Sequence, residues 1–302
     1  MLSSIDQVIA RVQATYSTWK RDTSPDQMRA DWEALFGGVR IDATIEEDRL
    51  ASVPVTRIAA KPSDPARLFL YFHGGGYLVG SPRSHADLIA RISFAAGATG
   101  LCVAYRRAPE HQFPAPIDDA LAVCEALDRR GVDLRQVAFV GDSAGGNLAL
   151  ATVLALKARA SALPAAVVLL SPWTDLEALG ESYETRKDKD PIHQRRMILE
   201  MSGRYLAGAD PAQPLASPLN GDLTGFPPVL IQVGDRETVL SDAVNLNAAA
   251  LAAGVESHLH VWDGMIHVFQ QFSEELPEAR AAIDEIGRFL KPRLGATKEV
   301  RT

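Results

Sequence analysis

Six consecutive residues, Gly141-Asp142-Ser143-Ala144-Gly145-Gly146, carry the strongest chemical signal in this 302-residue chain. They follow an apolar run at 137–141 and open a stretch of helical character at 144–160. A serine between glycines at a strand-to-helix corner has the form of a nucleophile elbow. The turn is too tight for side chains on its flanks, and it lifts the Ser143 hydroxyl clear of the sheet at a helix N-terminus, where negative charge is favoured. A second cluster, His73-Gly74-Gly75-Gly76-Tyr77, follows the apolar run 68–72. Consecutive glycines let backbone N–H groups close on a ligand oxygen, as stabilising the oxyanion of acyl transfer requires. The N–H of Ala144, next after the serine, is a further donor.

A serine nucleophile needs a base and a carboxylate, here in the chain order serine, acid, histidine. Three of the seven histidines are placed for the role: His258, His260 and His267. His258 and His260 alternate within a strand-like run. His267 sits in Asp263-Gly264-Met265-Ile266-His267-Val268-Phe269, just past the end of that run, where parallel sheets keep their sites. His267 is therefore the candidate base. The acid should follow the run 229–233, and Gly234-Asp235-Arg236-Glu237 does so. Asp235 and Glu237 are both candidates, Asp242 a distant third, and the residues alone leave the choice open. With a triad complete without it, Asp142 is expected to anchor a loop.

These residues need a scaffold. Short apolar runs at 68–72, 101–105, 137–141, 166–170, 229–233 and 258–262 alternate with helical stretches at 84–98, 116–130, 144–160, 242–253 and 275–290. Strand and helix in alternation predict an α/β fold, a mostly parallel sheet with helices on both faces. Uninterrupted apolar strands fit burial on both sides. Ahead of the sheet, Ile5, Val8, Ile9 and Val12 recur at helical spacing, and a second helix is expected from Ser24-Pro25 to Gly37-Gly38. About fifty residues between 170 and 229 carry no clear strand but a helical stretch at 192–206, which predicts an inserted helical cap. The expected organisation is an N-terminal part of the cap at 1–45 and a catalytic domain at 46–302, with a cap insertion at about 177–212. Trp19, Trp32, Phe36, Met197 and Tyr205 are candidates for its pocket wall.

Together the motifs resemble the hormone-sensitive-lipase-like family of bacterial esterases, within the α/β-hydrolase fold. The resemblance covers the chain from about Leu68 onward. It includes Tyr105-Arg106-Arg107-Ala108-Pro109-Glu110-His111, Phe113-Pro114-Ala115-Pro116, Ser171-Pro172-Trp173-Thr174-Asp175-Leu176 and Gly264-Met265-Ile266-His267, besides the two glycine clusters. It implies that Glu237, in Glu237-Thr238-Val239-Leu240-Ser241-Asp242, is the triad acid. It also implies that Gly75, Gly76 and Ala144 bind the oxyanion, and that the copies pair as a homodimer through the edge strand near 258–262. The implied activity is ester hydrolysis, with lactones as candidate substrates, and the large apolar residues of a cap that sets substrate size make short-to-medium acyl esters the expectation. The alternatives are an amidase with the same triad and a non-catalytic small-molecule binding protein, the latter disfavoured by His267.

Composition narrows the partners. A net charge of −7, from 31 basic and 38 acidic residues, argues against nucleic acid and gives no support for an anionic membrane surface. No uncharged run approaches a membrane span, and the first residues lack a secretory pattern, so a cytoplasmic location is expected. Cys102 and Cys124 are expected as buried thiols. No cofactor and no metal is called for: the chemistry needs none, and no Cys/His cluster suggests one.

Overall fold

The computed structural model describes residues 4–20 and 22–297. In chain order its elements are α1 (Ser4–Tyr16), α2 (Pro25–Phe36), β1 (Ala43–Leu50), β2 (Val53–Ala60), β3 (Asp64–Phe72), α3 (Pro82–Ala96), β4 (Ala98–Val103), α4 (Ala115–Arg129), β5 (Ala138–Asp142) and α5 (Ala144–Ala158). They continue with β6 (Ala166–Leu170), α6 (Ser182–Thr185), α7 (Arg195–Leu206), β7 (Val229–Gly234), α8 (Leu240–Ala252), β8 (Ser257–Trp262) and α9 (Pro277–Leu290). The strands form one sheet in the order β1-β2-β4-β3-β5-β6-β7-β8, parallel from β4 to β8 and antiparallel at the β1, β2 and β4 pairings.

Every residue of β4, β5, β6 and β7 is buried, as strands covered on both faces must be. Leu70, Phe72 and Phe139 face α4, α5 and α8 on one side, while Phe69, Tyr71 and Val140 meet α3 and α9 on the other. This is the α/β-hydrolase architecture, a mostly parallel sheet sandwiched by helices under a helical cap.

The sequence reading is corrected in two places. It did not foresee the β1–β2 hairpin. β1 reads Ala-Thr-Ile-Glu-Glu-Asp-Arg-Leu and lies at the sheet edge, mostly in solvent, so it lacks the apolar run that marked the other strands. The expected division at 45/46 falls inside this strand. The second correction is at α3, which ends at Ala96 rather than 98, while β4 starts at Ala98 rather than 101. Gly97, in the left-handed conformation at φ 63°, stops the helix and turns the chain directly into the strand.

The cap helices rest on the loops that carry the chemistry. Val8 and Val12 of α1 pack with Met265, Ile266 and Phe269, around His267. Trp32 of α2 packs on Leu78 and Val79, just after the glycine cluster. Burying a side chain of this size is worth about 1.5–3 kcal/mol, so these few contacts suffice to seat the helices. Ser24 caps α2 as expected, accepting from Gln27 N–H. Among the described residues, no helix is long and apolar enough to cross a membrane.

Candidate active site

The elbow is built by steric exclusion. A Cβ on Gly141 would lie 2.3 Å from Gly145 O, and one on Gly145 would lie 1.9 Å from Phe72 O. Only hydrogen fits at either place. Between them Ser143 is held at φ 52°, an uncommon conformation for a side-chain-bearing residue, and its N–H donates to Leu170 O at 2.9 Å. Helix α5 begins at the next residue, and its first thirteen residues are all buried. The helix is thus a rigid post behind the serine, with its positive dipole end at the site.

Asp142 does what a loop anchor should. Its Oδ1 accepts from Tyr71 Oη at 2.8 Å and from Gly74 N–H at 2.9 Å, and its Oδ2 lies 3.3 Å from His85 Nε2. Burial raises its pKa, but His85 and the donated hydrogen bonds outweigh burial and leave it lowered. The anchored loop turns at Gly75, whose carbonyl accepts from Leu78 and Val79 N–H, both at 3.0 Å. Gly75 sits at φ 112°, open in practice to glycine alone. Among the described residues, the N–H groups of Gly75, Gly76 and Ala144 take part in none of the backbone bonds that close the surrounding turns. Tyr105 braces the loop from below, donating to His73 O at 2.6 Å.

At the far end of the sheet, Glu237 is wholly buried, and its Oε2 lies 2.7 Å from His267 Nδ1. Its Oε1 accepts from Ser171 Oγ at 2.8 Å and from Gly234 N–H. Ser171 Oγ in turn accepts from Val268 N–H at 3.0 Å, so one serine holds both the carboxylate and the residue after His267. For His267, burial pushes the pKa down, but the hydrogen bond and charge of Glu237, helped by Asp190 and Asp142, outweigh it and leave the imidazole raised.

Of the two carboxylates that the residues alone left open, Asp235 faces elsewhere: its Oδ1 accepts from Gly264 N–H at 2.7 Å and so ties down the start of the His267 loop. Asp242 Oδ2 accepts from Thr174 and Asp175 N–H at 2.8 and 3.0 Å, away from His267, and burial pushes its carboxyl up to about 8. His258 and His260 lie on exposed faces of β8, beside Glu256 and Glu285.

Ser143, Gly75, Gly76 and His267 border one cavity of about 1200 Å³, roofed by the cap. Trp19, Trp32, Phe36 and Met197 stand in its wall as expected. Tyr205 does not: it is buried beside the cavity and stacks on Tyr77 with centroids 3.7 Å apart, which completes the core beneath the cap.

The residues from 69 to 271 match the family model described as the alpha/beta hydrolase fold. The chain is 46% identical to an acetyl-hydrolase of Streptomyces hygroscopicus, over 76% of its own length and 77% of the relative's. It is 34% identical to an esterase of Acinetobacter venetianus, over 80% of each. Its structure superposes on a crystal structure of an esterase from the bacterial hormone-sensitive lipase family with a TM-score of 0.93 and 41% identity, covering 98% of this chain and all of the other. The chain belongs to the hormone-sensitive-lipase-like family of esterases. It is a serine hydrolase of the carboxylesterase type.

Some residues of this esterase's site were not singled out by the sequence. Ser171 lies inside a motif of the family resemblance, but its link between Glu237 and Val268 needed coordinates. Asp190 and His193, both buried beside the triad candidates, lie in a polar stretch with no periodicity to mark them.

Proposed function

We propose that this esterase works through Ser143 as nucleophile, His267 as general base and Glu237 as the acid that holds it, on esters of short-to-medium acyl groups, lactones included. The observation that carries the assignment is the 2.7 Å contact from buried Glu237 to His267, in the wall of the cavity that Ser143 shares. In this reading His267 Nε2 takes the Ser143 proton as the serine oxygen attacks the ester carbonyl. Glu237 fixes the tautomer and offsets the imidazolium charge. The N–H groups of Gly75, Gly76 and Ala144 receive the oxyanion; one such donor is typically worth about 2.7–4 kcal/mol. His267 then hands its proton to the leaving alcohol. A water deprotonated by His267 cleaves the acyl-enzyme and returns the serine hydroxyl.

The small-acyl preference draws support from the acetyl-hydrolase name of the Streptomyces relative and from large side chains such as Trp19 and Trp32 in the cavity wall. A homodimer through β8 belongs to the same reading: among the described residues β8 ends the sheet and pairs with β7 alone, and it leaves Val261 40% exposed. So does a cytoplasmic location.

The decisive measurement is p-nitrophenyl butyrate hydrolysis by the wild type beside Ser143→Ala, Glu237→Gln and Asp235→Asn. Ser143→Ala should lose at least about 10⁴-fold in kcat, and Glu237→Gln about 10³–10⁴-fold. Asp235→Asn should lose less than about tenfold, since the amide oxygen still accepts from Gly264. Equal damage from Glu237→Gln and Asp235→Asn would refute the assignment of the acid. A folded Ser143→Ala variant with full turnover would refute the nucleophile.

A further inference from the structure

His193 stands on the cap segment just before α7, buried, in the wall of the cavity. Its ring meets that of His267 edge to face, with centroids 4.4 Å apart and planes at 82°. Its Nδ1 is itself buried and, among the described residues, has no hydrogen-bond partner. The placement is built rather than incidental. Asp190 Oδ1 accepts the N–H of His193 and of Ile192, both at 2.9 Å, and Asp190 Oδ2 is bound by Thr238, the neighbour of Glu237.

We propose that His193 is a specificity-determining residue for the alcohol half of the ester, hydrogen-bonding a hydroxyl carried one or two carbons from the ester oxygen. The proposal rests on the reading of His267 as the acid–base residue. In that role His267 delivers a proton to the leaving oxygen, so the alcohol half lies against the His267 ring. A side chain that packs on that ring and borders the same cavity borders the alcohol. A neutral imidazole offers one donor and one acceptor nitrogen, and a hydroxyl matches either. Burial, reinforced by His267, pushes the pKa of His193 down to about 3, so it stays uncharged beside the imidazolium that forms in the reaction. The implied substrates are monoesters of diols and polyols.

The test compares two butyrates that differ only in the alcohol, glycerol 1-monobutyrate and propyl butyrate, in the wild type, His193→Leu and His193→Gln. p-Nitrophenyl butyrate serves as the reference for an intact triad, and circular dichroism as the reference for the fold. The wild type should favour the glycerol ester at least about tenfold in kcat/KM, because a site built to bond a hydroxyl discriminates against the analogue lacking it. The preference should collapse toward parity in His193→Leu, chiefly through KM. His193→Gln, which keeps a donor and an acceptor, should retain part of it. A lesion that merely loosened the cap would slow both esters alike and leave their ratio unchanged. No preference in the wild type, or the same ratio in His193→Leu, with p-nitrophenyl butyrate turnover present, would overturn this proposal alone. A wild type inactive on all three esters would overturn the triad reading and this one together.

Discussion

Asp190 Oδ2 accepts hydrogen bonds from both the backbone N–H of Thr238, at 2.8 Å, and its hydroxyl, at 3.0 Å. Thr238 follows Glu237, and Asp190 also orders the turn that carries His193. One buried carboxylate therefore joins the cap to the loop of the proposed acid. Replacing it with alanine leaves four donors without their acceptor. Asp190→Ala should lower the unfolding free energy by roughly 2–4 kcal/mol and reduce kcat, as the cap and the His267–Glu237 pair lose register. Urea unfolding with both midpoint and slope, beside p-nitrophenyl butyrate kinetics, measures both. An unchanged midpoint would mean that this link carries no load.

The two glycines proposed for the oxyanion should respond differently to alanine. At Gly75 a Cβ would lie 2.4 Å from Val79 O, a backbone atom, at a φ of 112°. At Gly76 the obstacle is Met201 Sδ, at 2.4 Å on a flexible side chain, and φ is 60°, which alanine tolerates for about 1–2 kcal/mol. Gly75→Ala is expected to cost at least about 100-fold in kcat. Gly76→Ala should cost markedly less, and adding Met201→Ala should recover part of the loss. Equal losses, or no recovery, would contradict this account.

With His267 as the proposed base, its raised pKa should set the acid limb of activity. Catalysis needs the neutral imidazole, so kcat/KM should begin to fall at a pH above the ordinary histidine value of about 6.5. In Glu237→Gln the charge that raises the imidazole is gone and burial remains, so the limb should move to lower pH even as the maximum rate drops. A pH–rate profile of the two proteins decides it.

Stability should also fall in acid, through histidines whose pKa is shifted the other way. Burial first, and each one's histidine neighbour next, lowers His73 and His193 to about 3. Between about 6.5 and that value the unfolded chain takes up protons that the folded one refuses, so stability present above 6.5 is lost as pH falls. The slope is up to about 1.4 kcal/mol per pH unit for each histidine. His267 works the other way: its contribution is full below 6.5 and is lost as pH rises through its higher folded value. Urea unfolding between pH 7 and 5 should therefore show a shallower acid loss in His193→Leu than in the wild type.

Arg29 of α2 donates to Leu78 O and Ala108 O, both at 3.0 Å, and forks onto both oxygens of Glu110 at 2.8 and 2.7 Å. Lysine has no such planar fork. Arg29→Lys should loosen the N-terminal part of the cap and raise KM a few-fold, with kcat little changed; steady-state kinetics on p-nitrophenyl butyrate would show it.

The parts legible in the sequence were those that local sterics dictate. Gly141 and Gly145 are glycines because a carbonyl stands where a Cβ would go, and that constraint appears as a motif flanked by strand and helix. The inner strands were legible because burial on both faces demands unbroken apolar runs. The hairpin of β1 and β2 was not, since strands near the sheet edge can be mostly polar, though Val53, Val55, Ile58 and Ala60 left a faint alternation. Residues 137–146 by themselves determined that a serine would be raised at the corner of a strand and a helix. Which carboxylate meets His267 was decided by tertiary structure. Asp235 and Glu237 are two residues apart and chemically alike, and only the folded loop sends one to Gly264 and the other to the imidazole. The same holds for His193. Its role depends on a contact across 74 residues of chain, and no pattern of neighbours along a sequence encodes a distance between two segments brought together by packing.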